Sequence, residues 1–290
     1  MIHAAGSLAY AHARIGARRG ARAGEATWRR IEATRGLAAA LGVVQSEPAL
    51  ARWVEGLTAS ADPHAIEAML RRRWQDCVEE LARWMPEAWQ AAVHWCAWLA
   101  DLALVDHLAR REPAPRWLAA ADAASLAPLR ALAAPEAPEA PGATDAPGAT
   151  DASDAPNATR RRAGRHAAPA RAPGGVAVRG WTEGWRRRAP PGTARSEVEA
   201  GLGAALVRHV DGLAAAGADT AALRRALQAE LVRELRRGAL QPAGAFCYLG
   251  LAGLELLRLR GELVARAALP GRGSRVGRPA STVAARPEAA

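Results

Sequence analysis

The sequence predicts an all-α fold: a multi-helix, bundle-like protein with two helical halves joined by a long disordered linker. Three observations predict it. Apolar residues recur every three or four positions through several long segments, the spacing that gathers them on one face of a helix. Prolines and capping residues stand where those segments begin, at Asp62-Pro63, Pro86, Ser196, Asp219 and Pro242. No segment alternates apolar and polar residues over the length of a strand.

The first helical region spans Leu8 to Leu41. It is rich in arginine (Arg14, Arg18, Arg19, Arg22, Arg29, Arg30, Arg35) and interrupted by Gly16, Gly20 and Gly24. Each interior glycine costs a helix about 1 kcal/mol relative to alanine, so regularity is expected to suffer here. A short helix follows from Pro48 to Leu57. Asp62 then supplies a capping carboxylate and Pro63 the first helical position. Beyond them Ile66, Leu70, Cys77, Leu81 and Trp84 form an apolar stripe, widened by Met69, Trp74 and Val78. Pro86 breaks that pattern and opens the next helix, which is expected to run to about Arg110, with His107, Arg110 and Arg111 at its negative end. Pro113 and Pro115 stop it.

From Ala134 the text turns to Pro, Ala, Gly and Thr and carries the direct repeat APGATDAPGATD. Such a segment has almost nothing apolar to bury and reads as a disordered linker over 134–180. It separates a Trp-rich helical half, 1–133, from a second helical half, 181–269, and a disordered basic tail occupies 270–290. In the second half Ser196 is expected to cap a helix reaching Ala216, with Glu199 completing a capping box. Asp219 or Thr220 starts another, carrying Leu223, Leu227, Leu231 and Leu235 and ending at Gly238. Pro242 opens a third, with Phe246, Leu249, Leu251, Leu254, Leu257 and Leu263.

The formal charge is +10, and all 39 basic residues are arginine. Position decides what that charge means. Residues 159–195 hold ten Arg against one acid, whereas 1–133 hold 16 against 14 and 196–269 nine against eight. The excess thus lies in linker and tail, which argues against sequence-specific nucleic-acid recognition as the principal function; loose association through Arg160–Arg188 is the form it would take. Cys77, Cys96 and Cys247 are scattered, odd in number and set in apolar helical patterns, the usage of a reducing compartment. No signal peptide is read at the N-terminus, and no run approaches the ~18–20 apolar residues of a spanning helix. The expected location is the cytoplasm, peripheral to the inner membrane at most.

Chemistry-bearing residues do not converge in the sequence. His94, Cys96, Asp101, Asp106 and His107 share a predicted helix, yet His94 and Cys96 are two apart and point nearly opposite ways. His64 and Glu67 share a face, but in the order His-x-x-Glu, reversed from that of di-iron bundles. An α-helical metal or cofactor protein using His64, Glu67, His94 and Asp101 is therefore a secondary reading. There is no Gly-x-Ser-x-Gly and no phosphate-binding glycine loop, and the cysteines fall on apolar stripes, where a thiol behaves as a small hydrophobe. No catalytic residue, metal ligand or cofactor is assigned.

The tryptophans of WMPEAWQAAVHWCAWLADL (84–102) read first as core, filling space between helices made otherwise of Ala and Leu. A sharper reading makes Trp89 and Trp98 docking anchors, since Trp and Arg concentrate at binding hot spots.

Tyr10-Ala-His-Ala-Arg14-Ile-Gly-Ala-Arg18-Arg19, followed by Trp28 to Leu41 and by Ile66-Glu67-Ala-Met-Leu70-Arg71, resembles the start of proteins of the V-type ATPase AC39 family. Phe246-Cys-Tyr-Leu-Gly through Leu256-Leu-Arg-Leu-Arg260-Gly-Glu-Leu resembles that family's last long helix. The resemblance implies an all-α, funnel-like, non-enzymatic adaptor that binds no cofactor. It would seat on the cytoplasmic face of a membrane proteolipid ring, join it to a rotor stalk, and have the protein components of a membrane complex as partners. Arg14, Arg18, Arg19, Trp89 and Trp98 are the residues expected to meet those partners.

Overall fold

The computed structural model describes residues 2–109 and 174–269, apart from 214 and 216. Helix makes up 83% of the described residues, and no strand occurs among them. Residues 110–173 and 270–290, which contain most of the expected linker and all of the expected tail, lie outside the description. Among the described residues no helix is long and apolar enough to cross a membrane.

The glycine-interrupted first region resolves into three helices: α1 (Ile2–Gly20), α2 (Glu25–Ala33) and α3 (Leu37–Ser46). Gly16 is carried inside α1, whereas the chain breaks after Gly20 and restarts from Gly24. Gly36 separates α2 from α3 at φ +78, a left-handed value that suits glycine. Next come α4 (Pro48–Val54) and α5 (Pro63–Trp84). Asp62 caps α5 as the sequence predicts, its carboxylate accepting from the Ala65 N–H at 2.8 Å.

The helix expected from Pro86 to Arg110 is instead broken in three. Helix α6 (Glu87–Trp95) passes into a 3-10 turn (Cys96–Asp101) and then α7 (Leu102–Ala109). A tertiary contact favours the tighter turn: the Trp74 indole donates to the Ala97 carbonyl at 2.8 Å and occupies an acceptor that a continuing α-helix would use. The turn also brings Asp101 onto Arg71, with which it pairs.

Helix α8 (Gly174–Arg186) begins inside the stretch read as linker, a correction to the 134–180 boundary. Ala177, Val178, Trp181 and Trp185 make a buried helical stripe there, obscured in the sequence by surrounding Gly and Arg. A second correction concerns Ser196. Helix α9 (Thr193–Val198) starts three residues before the expected cap, from Gly192 at φ +126, and runs through a π-helical turn (Glu199–Gly203) into α10 (Ala204–Leu213). Glu199 does not reach back to close a capping box. It pairs with Arg186 at 3.0 Å and lies 3.7 Å from Arg195.

Helices α11 (Thr220–Arg237) and α12 (Pro242–Ala268) match the predicted starts. Asp219 accepts from both Ala221 and Ala222 N–H groups, and Pro242 occupies the first turn of α12. The hairpin between them depends on Gly238 and Gly244: a Cβ on Gly244 would sit 2.7 Å from the Gly238 carbonyl and 2.5 Å from the His12 ring. Helix α12 is the axis of the molecule, buried almost continuously from Pro242 to Ala252, with α1, α5, α9 and α11 around it. Trp74 and Leu81 from the first half, Trp185 from α8, and Phe246 and Leu256 from α12 belong to one hydrophobic core. The two helical halves therefore fold as one unit.

Candidate functional site

Where α1 ends, α4 and α12 come together around a cleft of about 190 Å³. Arg18 reaches it from the last turn of α1, Arg22 from the segment that follows α1, Arg52 from α4, and Tyr248, Ala252 and Glu255 from one face of α12. Spacings of four and three along α12 put those last residues on a common side. Glu255 is only 4% exposed. One of its oxygens accepts from the Trp53 indole at 3.4 Å and lies 3.9 Å from Arg52; the other lies 3.7 Å from Arg22. Arg52 also donates to the Tyr248 hydroxyl at 3.5 Å and stacks over the Trp53 ring at 4.5 Å.

Electrostatically the cleft is unbalanced and under-bonded. Arg18 is matched by Glu80, whose two oxygens it contacts at 2.5 Å, which leaves Arg22 and Arg52 facing the single carboxylate of Glu255. Among the described residues Arg22 Nε, Arg52 Nε and Glu255 Oε1 have no hydrogen-bond partner. Burial pushes the Glu255 carboxyl above its ordinary pKa, and the guanidinium groups of Arg22 and Arg52 oppose that shift without cancelling it. Burial raises the Tyr248 phenol as well.

Arg22 and Glu255 also form one wall of a larger groove of about 820 Å³ between the α1–α2 junction and α11. Its floor is apolar, with Trp28, Val232 and Leu254, and its α11 side presents Arg224, Arg225, Arg233 and Arg236. Those four are exposed and make no ion pair among the described residues. On the opposite side Arg258 is held by Glu25 at 3.1 Å and Glu32 at 2.7 Å and stacks over Trp28 at 4.5 Å. Arg258 in turn holds the Glu25 carboxyl below its ordinary pKa.

The residues expected to meet partners are placed unevenly. Arg14 is exposed and stacks over Tyr10 and Trp84 at 5.6 and 5.4 Å, while Arg18 covers the Trp84 ring at 4.9 Å and ties α1 to Glu80 of α5. Arg19 is partly buried. Trp89 is 7% exposed and packs with Trp185 and Phe246 at centroid distances of 6.4 and 5.7 Å, which leaves it no face for a partner in this conformation. Trp98 is partly buried against the same core. The pair expected to dock thus supplies packing, and the surface arginines of α11 take the more accessible position.

Nor do the expected metal ligands converge. His94 lies 3.2 Å from Glu79, Glu67 pairs with Arg260 at 2.6 Å, Asp101 pairs with Arg71, and His64 is exposed on α5. Among the described residues no three His, Cys, Asp or Glu side chains gather as a metal site would require. The cleft residues Arg22, Arg52, Tyr248 and Glu255 escape sequence reasoning because they come from three distant segments. One signal exists: Glu255 interrupts the apolar run Leu-Ala-Gly-Leu-Glu-Leu-Leu of α12, and an acid on a buried stripe needs partners.

Among the described residues, fold and site define an all-α protein whose two halves share a core and which carries an arginine-lined cleft and groove. No family model, curated protein or solved structure matches the chain. The AC39 resemblance accordingly rests on the helical pattern of the quoted segments alone.

Proposed function

We propose that the protein is a non-catalytic adaptor whose arginine-lined groove receives an acidic, amphipathic segment of a protein partner. The observation that carries this reading is the row Arg224, Arg225, Arg233 and Arg236, exposed and without ion pairs among the described residues, beside an apolar floor. An amphipathic peptide buries its apolar face on such a floor and sets its acids against the rim. Glu25 and Glu32 on the other rim make the groove mixed in charge, which suits a peptide carrying both signs and works against a continuous phosphate backbone. The finer form of the proposal is the one the AC39 resemblance implies, in which the partner belongs to a membrane complex and the adaptor lies on its cytoplasmic face.

Tagged protein purified from its native host, with and without R224E, R225E, R233E and R236E together, tests the reading. The unaltered chain should recover membrane-complex proteins in fixed ratio, and the variant should lose them at an unchanged melting temperature. A monomer recovered alone from soluble and membrane fractions, or partners that survive the charge reversal, would overturn it. Recovery of nucleic acid in place of protein, lost in high salt, would transfer the groove to the nucleic-acid alternative.

A further inference from the structure

The geometry points to a second site: the cleft between α1, α4 and α12 binds a phosphate group in its monoprotonated form, held by Arg22 and Arg52 and hydrogen-bonded through its own O–H to Glu255. The inference does not depend on the adaptor reading, because the four α11 arginines of that reading do not line this cleft.

Three features converge on that ligand. The first is size: about 190 Å³ is below the ~300–1,000 Å³ of pockets for drug-sized molecules and admits only a small anion or the head of a larger one. The second is charge. With Arg18 committed to Glu80, two guanidinium groups face one carboxylate, so an oxyanion is attracted to the cleft. The third is the pattern of unmade hydrogen bonds. Arg22 Nε stands 3.7 Å from Glu255 Oε1 without bonding it, and Arg52 Nε has no partner among the described residues. Two donors and one acceptor thus lie just beneath the cleft surface, within reach of a ligand after a small side-chain shift. A fully ionised oxyanion satisfies the donors but sets a bare oxygen against Glu255. Hydrogen phosphate keeps an O–H through neutral pH, and a phosphomonoester keeps one until its last proton leaves near pH ~6, so the singly protonated forms offer both kinds of group. Sulfate and acetate carry no proton at neutral pH and meet Glu255 as like charges.

Glu255 is thus a selectivity residue as well as a buried acid. Ionised, its carboxylate accepts the O–H of the ligand and repels an anion that has none.

Calorimetric titration of the full chain at pH 7 and constant ionic strength, with inorganic phosphate, methyl phosphate, sulfate and acetate, tests this. At least one of the two phosphates should bind at least tenfold more tightly than sulfate or acetate; binding of inorganic phosphate identifies the free anion as sufficient, and binding of methyl phosphate alone identifies an ester. Glu255→Gln should bring phosphate and sulfate within about threefold of one another, since an amide N–H donates to either. Should that buried substitution unfold the chain, Arg22→Gln, at a side chain 21% exposed against 2% for Glu255, should weaken phosphate at least tenfold with an unchanged melting temperature, the loss expected for one charge-assisted contact. No heat with either phosphate, equal affinity for sulfate in the unaltered chain, or full affinity in Arg22→Gln would each overturn the assignment.

Discussion

Trp95 and Trp181 donate their indole N–H groups to each other's backbone carbonyls, Trp95 to Trp181 at 2.8 Å and Trp181 to Trp95 at 3.3 Å. Eighty-six positions separate them in the chain, and this reciprocal pair fastens α8 to the end of α6. Arg188 lies over the Trp95 ring at 3.8 Å and closes the clasp from outside.

Gly184 should be the most sensitive glycine of α8. A Cβ there would stand 2.2 Å from the Trp95 ring. Gly184→Ala is expected to destabilise the protein by about 1–3 kcal/mol through overpacking, although alanine favours a helix. In a Trp95→Ala background, itself costing about 3 kcal/mol, the same change should be neutral or stabilising. Urea denaturation of the four proteins checks this, and additive effects would contradict the contact.

Glu255 makes stability pH-dependent in a direction set by its raised pKa. The folded chain holds this proton to higher pH than the unfolded chain, whose carboxyl titrates near ~4.3. The stability it contributes is complete below that value and is lost as pH rises through the folded pKa. Glu255→Gln should therefore gain on the unaltered protein between pH 4 and pH 7 in thermal melts. Parallel stability curves would show that no proton is taken up there.

The thiols give an independent check on the core. Cys77, Cys96 and Cys247 are free and buried, and burial raises the pKa of each, that of Cys247 to about 12. Only the thiolate is a good nucleophile, so a disulfide reagent at pH 8 should leave the native thiols unmodified and label all three on unfolding. The same shifts imply that stability declines above about pH 8.5, where unfolded thiols lose protons that folded ones keep.

Asp62 tests the local code. Its carboxylate accepts from the Ala65 N–H ahead of Pro63, and Asp62→Ala should cost about 1 kcal/mol, with Asp62→Ser retaining most of it. Circular dichroism during denaturant titration reads the difference.

How much is legible in the sequence varies with the range of the forces involved. The starts of α5, α11 and α12 are readable because Asp62-Pro63, Asp219 and Pro242 act on backbone groups within one turn. The length of α6 is not, because its ending depends on the Trp74 indole, 23 positions away from the carbonyl it occupies. For Trp89 a docking role stands beside the core reading because periodicity reports that a face is apolar and cannot say whether protein or partner covers it. Here Trp185 and Phe246 cover it.

By itself, then, the sequence determined the all-α class, the stripes that become core and the caps that set helix starts, since these depend on neighbours three or four residues apart. Only the tertiary structure decided that the two halves share one core, that α8 belongs to the folded body, and that Arg22, Arg52, Tyr248 and Glu255 meet in one cleft. Their meeting depends on which helix faces bury against which, and helical periodicity leaves that choice open.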